Sequence, residues 1–515
     1  MEKKSNFLWG AMILAVAGGI CKVLGAIYRI PLARLIGDEG MALYQMAYPI
    51  YTTILSLATA GVPVAISVLV SRGEAQGYDG DSRKILRASL LILLTFGFVL
   101  ALVVMLSAPF IANAILREPR AYYPIMAVAP AIFLSSLMSV FRGYFQGLQS
   151  MVPTAVSQVV EQSFRVSAVL ILAFMLFPYG LEYSAAGATS GAVVGGLAGS
   201  LFLFVYYYIF RRRQHRDVSA LSYSGSNSWD LGKEMVRMAI PVSFGAVVIP
   251  LVQMIDAIIV PQRLETINYT HAQAMGLFGQ LSGMASVLIT LPTIFTVSIA
   301  TSLVPAVAEA LTSRDRTLLN DRINYAFRAG MIITLPCTAG LFVLAFPISD
   351  LLFKLPHVGV PLEIMAFACM MMAAFQISSA GLQGVGRPEI AMRHLIIVGI
   401  LKIIMNYTLT AVPVLNIRGA AISTVAAFAV GSCLNIIHLK NLTGVVYEKA
   451  RLLRITLVTV VMGIVVKISY QSIITADINS HIATILAITV GIGVYGLMLL
   501  LIKEFDLGML RRIAK

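Results

Sequence analysis

Apolar stretches of about 20 residues recur along the whole chain and are separated by short polar connections. A soluble domain has no interior large enough to bury so many of these stretches. Inside hydrocarbon every backbone N–H and C=O must be satisfied within the segment, which favours helices. The composition agrees, because 58% of the residues are hydrophobic, 12% are charged and the mean hydropathy is +0.87. The sequence therefore predicts an all-α polytopic membrane protein.

The apolar stretches predict fourteen transmembrane helices. They lie at residues 7–36, 41–70, 85–116, 121–147, 153–178, 184–210, 235–260, 273–311, 322–353, 360–383, 389–413, 418–438, 453–473 and 481–502. The connections on the side of the N-terminus carry most of the Lys and Arg residues, including RRRQHR at 211–216. The connections on the other side hold Arg34, Arg117, Arg120, Arg263, Lys354 and Arg418.

This charge asymmetry predicts that both termini are cytoplasmic in a cell membrane. Most of the net charge of +14 is then a topology signal, so nucleic-acid binding is not predicted. The apolar segment after MEKKSN is too long for a signal peptide, and it lacks a clear cleavage site.

The chain repeats itself at a nearly constant offset. GLQSMVP at 147–153 returns as GLQGVGRP at 381–388, and GMALY at 40–44 returns as AMGLF at 274–278. We therefore predict two related six-helix lobes, at 1–210 and 235–443, joined by a cytoplasmic linker at 211–234. Helices 13 and 14, with a cytoplasmic tail, complete the chain at 444–515. Repeats of this kind are typical of transporters whose substrate site lies between the repeats near the membrane midplane.

The sequence contains no pattern typical of a catalytic site or a metal site. The cysteines, Cys21, Cys337, Cys369 and Cys433, all fall in apolar segments and are predicted to be small core residues. The six histidines lack metal-ligand spacing, and no loop is long enough for a catalytic domain. We therefore predict a protein that is not an enzyme, with no catalytic residues, no metal and no cofactor; a coupling ion or the membrane potential is left open.

Basic residues within the predicted helices are the main candidates for a binding site. A charge at the bilayer centre costs roughly 2.5–3.5 kcal/mol on insertion scales, so such residues normally face a partner or a cavity. Lys22 and Arg29 lie two helical turns apart with no acidic residue on their helix, which favours a cavity. Arg165 and Lys402 fall near the middle of their helices, one in each lobe. A cationic cleft between the lobes would attract a phosphate or diphosphate.

Other polar residues leave alternatives open. Glu161 lies four residues before Arg165, so the two could neutralise each other on one helix face. Asp256 could have a structural role, pair with a cation or bind one. Lys402 and Asn406 could form an interhelical contact instead of facing a cavity. Arg142 lies near a helix end, where its side chain can reach the membrane surface.

These residues resemble a known family. The segments IYRIPLARLIGDEGMALYQMAYPIYTTILSLATAGVPVAIS and DAIIVPQRL, with the repeated GLQ turn, are similar to the polysaccharide-transporter branch of the multidrug/oligosaccharidyl-lipid/polysaccharide flippase superfamily. Within it the chain resembles the stage V sporulation protein B type of Gram-positive bacteria, which is related to the lipid II flippase MurJ. The resemblance implies two helical bundles that form a V and move a lipid-linked peptidoglycan precursor to the outer leaflet by alternating access. It also implies that membrane lipids and the cell-wall synthesis machinery are partners.

The resemblance implies roles for particular helices. A basic first helix binds the headgroup, and Lys22 in CKVLG matches a basic position there, whereas Arg29 lies beside the next charged positions. The last two helices form a groove for the polyprenyl tail. Helix 8 lacks the basic residue that it carries in MurJ-like proteins, so Arg165 or Lys402 is the expected substitute.

Three functional hypotheses follow. The first is a flippase for lipid II, and the second is a flippase for another polyprenyl-diphosphate-linked oligosaccharide, such as a capsule, spore or wall polymer. The third is a cation-coupled multidrug antiporter, which the basic candidate residues disfavour because such a transporter needs acidic ones. An enzyme that acts on polyprenyl phosphates is a more distant alternative.

Overall fold

The computed structural model describes residues 2–75, 79–213, 228–313, 315–502 and 504. Almost all of the described chain is helical and none of it forms a strand, which confirms the predicted all-α polytopic fold class. By its internal contacts the chain divides into two compact units. Unit 1 comprises residues 1–261 and 271–279, and unit 2 comprises residues 262–270 and 280–515.

Ten α-helices begin in unit 1. They are α1 (Glu2–Ile27), α2 (Arg29–Thr59), α3 (Val62–Ala75), α4 (Asp79–Phe110), α5 (Tyr122–Val128), α6 (Pro130–Gly147), α7 (Val152–Leu176), α8 (Leu181–Arg213), α9 (Ser228–Glu265) and α10 (His271–Phe278). A π-helical segment, Ile111–Leu116, extends α4, and a second one, Gly279–Ala285, follows α10.

Eight α-helices begin in unit 2. They are α11 (Ser286–Thr312), α12 (Arg316–Val343), α13 (Ala345–Phe353), α14 (Gly359–Gly384), α15 (Pro388–Leu409), α16 (Ile417–Thr443), α17 (Lys449–Thr475) and α18 (Ser480–Leu501). α17 and α18 correspond to the predicted helices 13 and 14. They pack together around Val458, Met462 and Tyr495.

The described residues contain 13 helical stretches that are long and apolar enough to cross a membrane. The first, Met12–Glu74, has 63 residues, far more than the ~20 needed for one crossing. It is divided at Gly37, where φ is 67° and ψ is −170°, a conformation that glycine adopts without a steric penalty. Counted as two crossings, this stretch brings the number to the predicted fourteen.

The N-terminal region differs in detail from the predicted helix at 7–36. The structure interrupts that helix at Tyr28, between α1 and α2, so Lys22 and Arg29 lie on successive helices. A further break, at Ala60–Gly61, precedes Pro63 in the first turn of α3, where the missing N–H of proline costs no hydrogen bond. At this break a Cβ on Gly61 would lie 2.1 Å from the Ala239 carbonyl oxygen, an approach that only glycine permits.

Equivalent turns occur in both units. The helix α6 ends at a turn with Gln149 at φ 57° and α14 ends at a turn with Gly386 at φ 79°. In each turn an N–H bonds the carbonyl five residues earlier, Ser150 to Phe145 and Arg387 to Leu382. This is the left-handed cap that closes many helices. The repeated GLQ sequences therefore mark the same local structure.

The predicted domain boundaries follow the sequence repeat, whereas the two units follow the contacts between residues. The boundaries therefore stay a prediction. α9 lies mostly in unit 1 by its contacts, whereas the sequence repeat assigns it to the second lobe. Its residues Met235 and Ala239 join a buried cluster with Ile66 and Phe141, and the Ser243 hydroxyl accepts a hydrogen bond from the Gly61 N–H at 3.1 Å. Residues 214–227 of the predicted linker and 505–515 of the predicted tail lie outside the described residues.

Candidate functional site

A buried ion cluster joins α6 and α7 in unit 1. Glu161 accepts hydrogen bonds from Arg142 Nη2 at 2.8 Å and from Arg165 Nη2 at 2.6 Å. The Arg142 Nε–H also donates to the Ser157 hydroxyl at 3.0 Å. The three charged side chains are only 14–17% exposed. One carboxylate therefore holds two guanidinium groups, and the cluster keeps a net positive charge.

Small residues on α8 position this cluster. Glycines recur every four residues along α8, at 187, 191, 195 and 199, and face α7. A Cβ on Gly195 would lie 2.6 Å from the Glu161 carbonyl oxygen and 2.8 Å from the Arg165 Cβ. Such stripes let helix backbones approach closely within membranes. α8 therefore supports α7 directly behind the two charged residues.

Arg29, the first residue of α2, lies in a second cluster with Tyr28, just before this helix, and with Tyr44 and Tyr48 within it. Its guanidinium carbon is 5.6 Å from the centre of the Tyr48 ring, a cation–π distance. The Tyr44 and Tyr48 rings stack with their centres 5.6 Å apart. The Tyr28 and Tyr44 hydroxyls share a hydrogen bond of 2.8 Å.

The two clusters are neighbours within unit 1. Arg29 interacts with Tyr28, Tyr44 and Tyr48, and Arg165 interacts with Tyr28, Tyr48 and Tyr51. The Nε–H groups of both arginines are buried and have no hydrogen-bond acceptor among the described residues. The arrangement therefore offers two buried donors with a surplus of positive charge, which is the chemistry of an oxyanion site.

Lys22 has a different environment from Arg29. Its side chain is exposed on α1, one residue after Cys21, which lies within electrostatic range of Glu161, Arg142 and Arg165. α1 itself packs against α7, where a Cβ on Gly25 would lie 3.3 Å from Gln162 Nε2. The helix that carries Lys22 therefore borders the ion cluster.

The remaining predicted residues lie on other helices. Asp256 is buried on α9 in unit 1. Lys402 is half-buried on α15 in unit 2, and Asn406, one turn later, is buried and accepts a hydrogen bond from the Ser423 hydroxyl. Their roles stay predictions. No group of three or more His, Cys, Asp or Glu side chains suited to a metal ion occurs in the described part of the chain.

The sequence analysis missed the tyrosines and Ser157. Tyr44, Tyr48 and Tyr51 are four and three residues apart, which is a helical spacing, and they follow Arg29 in the sequence. This pattern is visible in the sequence. Aromatic residues at this spacing are common in the cores of helical proteins. The pattern therefore indicates a binding site only where arginines lie beside it. Ser157 had no signal, since serines are frequent at helix contacts in membranes.

Comparisons with known proteins place the chain in a family. Residues 7–310 match the family model described as polysaccharide biosynthesis protein. Stage V sporulation protein B of Bacillus subtilis (strain 168) is 32% identical over 84% of this chain and 83% of that protein. The lipid II flippase MurJ of the same strain is 28% identical over 99% of this chain and 97% of its own.

A solved structure shares the fold. The lipid II flippase MurJ in an inward closed conformation aligns with a TM-score of 0.71 at 16% identity, over 96% of this chain and 99% of that one. MurJ is a flippase by name, and neither of the two named relatives is an enzyme. The chain therefore belongs to the polysaccharide biosynthesis protein family, whose members include membrane flippases.

Proposed function

We propose that the protein flips a polyprenyl-diphosphate-linked saccharide across the cell membrane, with lipid II as the first substrate to test. The observation that carries the proposal is the pair of buried, unpaired Nε–H groups of Arg29 and Arg165 beside a net-positive ion cluster. The names of the relatives support the substrate class, because one of them is a lipid II flippase.

The chemistry of a diphosphate suits these residues. Its oxygens accept several charge-assisted hydrogen bonds, which are about twice as strong as neutral ones. Arginine presents a planar fork of donors that matches a phosphate. Glu161 holds Arg142 and Arg165 in place through hydrogen bonds of 2.8 and 2.6 Å, so little side-chain entropy remains to be lost when a headgroup binds.

The remaining sequence candidates extend the proposal. Lys22, exposed on α1, would attract the headgroup. Lys402, on the second lobe, would also attract the headgroup. Asp256 and Asn406 would support these contacts. Alternating access with cytoplasmic termini completes the proposed cycle, which moves the lipid from the inner to the outer leaflet.

A second substrate class shares the same recognition chemistry. Other polyprenyl-diphosphate-linked oligosaccharides present an identical diphosphate, and the arginine cluster contacts this group and not the sugars that distinguish the lipids. A multidrug antiporter is disfavoured, because a site with three arginines and one glutamate repels organic cations. The saccharide therefore has to be identified by transport measurements.

The test uses the purified full-length protein in proteoliposomes. Flipping of fluorescent lipid II is compared with flipping of an equally labelled undecaprenyl-diphosphate oligosaccharide that lacks the peptide. We expect at least one to move faster than in protein-free liposomes, and Arg165→Gln to abolish that movement. Lys467→Gln is the matched control, since Lys467 is an exposed basic residue of α17. Flipping of neither lipid, or equal flipping by Arg165→Gln, would contradict the proposal.

Complementation decides between the substrates in cells. A strain depleted of its own lipid II flippase is supplied with the wild-type gene or with the Arg165→Gln variant. Growth with the wild type alone would support lipid II. Failure of the wild type, together with flipping of the second lipid in vitro, would assign the other oligosaccharide.

A further inference from the structure

A hydrogen bond joins the helix pair α17–α18 to the backbone of α12. Tyr495 of α18 is buried, and its hydroxyl donates a hydrogen bond of 2.9 Å to the Ile332 carbonyl oxygen of α12. The same hydroxyl interacts with the Thr459 side chain of α17. Tyr495 therefore links three helices of unit 2 at one place.

The carbonyl that Tyr495 contacts lacks its usual donor within α12. In an α-helix a carbonyl accepts from the N–H four residues later. For Ile332 this position is Pro336, which lies inside α12 and has no N–H. An unsatisfied carbonyl is costly within a membrane, and a side chain from a neighbouring helix can supply the donor. The Tyr495 hydroxyl supplies it here, so α18 is coupled to α12 through the proline.

The proline is a difference between the two sequence repeats. GLQ begins at 147 and again at 381, an offset of 234 residues, which places Leu102 opposite Pro336. The stretch around Leu102, LALVVML at 100–106, contains no proline. The proline is therefore present in the repeat that α17 and α18 follow and absent from the equivalent stretch of the first repeat.

The packing around this hydrogen bond is apolar. A Cβ on Gly463 of α17 would lie 3.8 Å from the Ala339 Cβ and 3.7 Å from the Val343 Cγ2 of α12, which are ordinary van der Waals distances. Apolar side chains gain little when they leave lipid for a contact between helices. The directional hydrogen bond from Tyr495 therefore fixes how the pair is aligned along α12.

We propose that Tyr495 is a positioning residue, whose hydroxyl fixes the α17–α18 pair to α12 at the carbonyl beside Pro336, so that the pair moves with α12 as one body during transport. The contact of Tyr495 with Ile332 at Pro336 is called the proline joint below. The joint is a property of the fold, and only its role in transport rests on the proposed flippase function.

A double-mutant cycle tests the proline joint without any transport. Gly463→Cys, in a background whose native cysteines are replaced by alanine, reports separation of α17 from α12 through its rate of labelling by N-ethylmaleimide, because position 463 is buried. We expect Tyr495→Phe to speed labelling about fivefold, since one hydrogen bond is lost. In a Pro336→Ala background the alanine N–H supplies the missing donor, so Tyr495→Phe should then have little effect.

Tyr470→Phe is the matched control for this cycle. The Tyr470 hydroxyl of α17 shares a hydrogen bond of 3.2 Å with the Ser480 hydroxyl, and this contact does not involve Pro336. The effect of Tyr470→Phe should therefore be the same with and without the proline. No acceleration by Tyr495→Phe, or an equal acceleration in both backgrounds, would overturn the joint, whether or not the protein flips a lipid.

A disulfide tests whether the pair moves with α12 during transport. Ala339→Cys with Gly463→Cys can link α12 to α17, because the two Cβ positions are 3.8 Å apart, the usual separation in a disulfide. In proteoliposomes we expect the oxidised and reduced forms to flip fluorescent lipid II at the same rate, since the two helices do not separate. Tyr495→Phe should slow flipping by up to about fivefold, and oxidation of the cysteine pair should restore it.

The outcomes separate this inference from the proposed function. Loss of flipping on oxidation, or failure of the disulfide to restore flipping in Tyr495→Phe, would contradict the shared movement of the pair and α12. Absence of flipping in every form, together with the expected labelling rates, would contradict the proposed function and leave the joint established.

Discussion

At the scale of single residues, Glu161 determines the charge of the candidate site. It holds Arg142 and Arg165 at 2.8 and 2.6 Å, so removing the carboxylate leaves two guanidinium groups close together without their counter-ion. Removing Arg165 instead leaves Glu161 paired with Arg142. The two changes are therefore expected to differ greatly in their effect on folding.

We predict that Glu161→Gln destabilises the protein by about 3–5 kcal/mol, as expected when a buried ion pair loses one partner. Arg165→Gln should lower the thermal midpoint much less, and the double variant should recover part of the loss. The measurement is thermal unfolding of purified protein in detergent. Equal losses for the two single variants would show that Glu161 is not the shared partner.

The Glu118 carboxyl, between two candidate membrane spans, supplies a pH-dependent prediction. Burial alone raises its pKa, but hydrogen bonds from Arg120 and His271 outweigh burial and hold the pKa below its ordinary value. A carboxyl whose pKa falls on folding stabilises the protein above the unfolded-state pKa of about 4.3 and loses this contribution as the pH drops through the folded pKa.

We therefore expect Glu118→Gln to lower the thermal midpoint by the same amount at pH 5, 6 and 7, with a difference that begins to shrink only below the unfolded-state pKa of about 4.3. The comparison is made in a His271→Asn background, so that the histidine does not titrate while Arg120 still holds the carboxylate. A difference that vanished between pH 7 and 5 would contradict the lowered pKa.

At the scale of helices, glycines set how closely neighbouring elements pack. Gly419 on α16 would place a Cβ 2.4 Å from the Leu409 carbonyl oxygen, and Gly187 on α8 would place one 2.6 Å from the Leu172 carbonyl oxygen. The two contacts are similar in the two units. Close backbone approach is therefore a shared feature of the repeated helix pairs.

We predict that Gly419→Ala destabilises the protein by about 1–3 kcal/mol, because the added methyl group meets backbone that cannot move aside. Gly493→Ala is the matched control, since a Cβ there meets no atom within 4 Å. It should be neutral or stabilising by up to about 1 kcal/mol. A neutral Gly419→Ala in thermal unfolding would indicate that α15 and α16 are packed less tightly.

The sequence predicts local features of these elements better than distant contacts. Glu161 and Arg165 were identified as a possible pair because four residues is one helical turn. Arg142 was assigned to a helix end, whereas its contact with Glu161 depends on how α6 packs against α7. The break at Tyr28 was missed because nothing local forbids a helix there, and the contact between Glu118 and His271 joins residues 153 positions apart.

At the scale of the whole molecule, apolar stretches and repeats predict the all-α fold class and the number of helices. Hydropathy works well here because the bilayer requires every span to satisfy its own backbone. The repeat pattern did not predict how α9 packs. Its Glu234 pairs with Arg72 at 2.9 Å, a contact that the repeat pattern does not contain.

The predicted orientation can be tested with two single cysteines. Ser224→Cys lies in the predicted cytoplasmic linker, outside the described residues, and Asn479→Cys lies between α17 and α18. In intact cells an impermeant maleimide should label position 479, and position 224 only after permeabilisation, because Lys and Arg concentrate on the cytoplasmic side. The opposite pattern would reverse the topology.

The most direct test of the central claim is the affinity of the purified protein for undecaprenyl diphosphate. If Arg29 and Arg165 bind the diphosphate, Arg165→Gln should weaken binding at least about tenfold, since a charge-assisted hydrogen bond is lost. The protein should remain folded, and Lys467→Gln should bind like the wild type. Unchanged affinity in a folded Arg165→Gln variant would contradict the claim that this cluster recognises the headgroup.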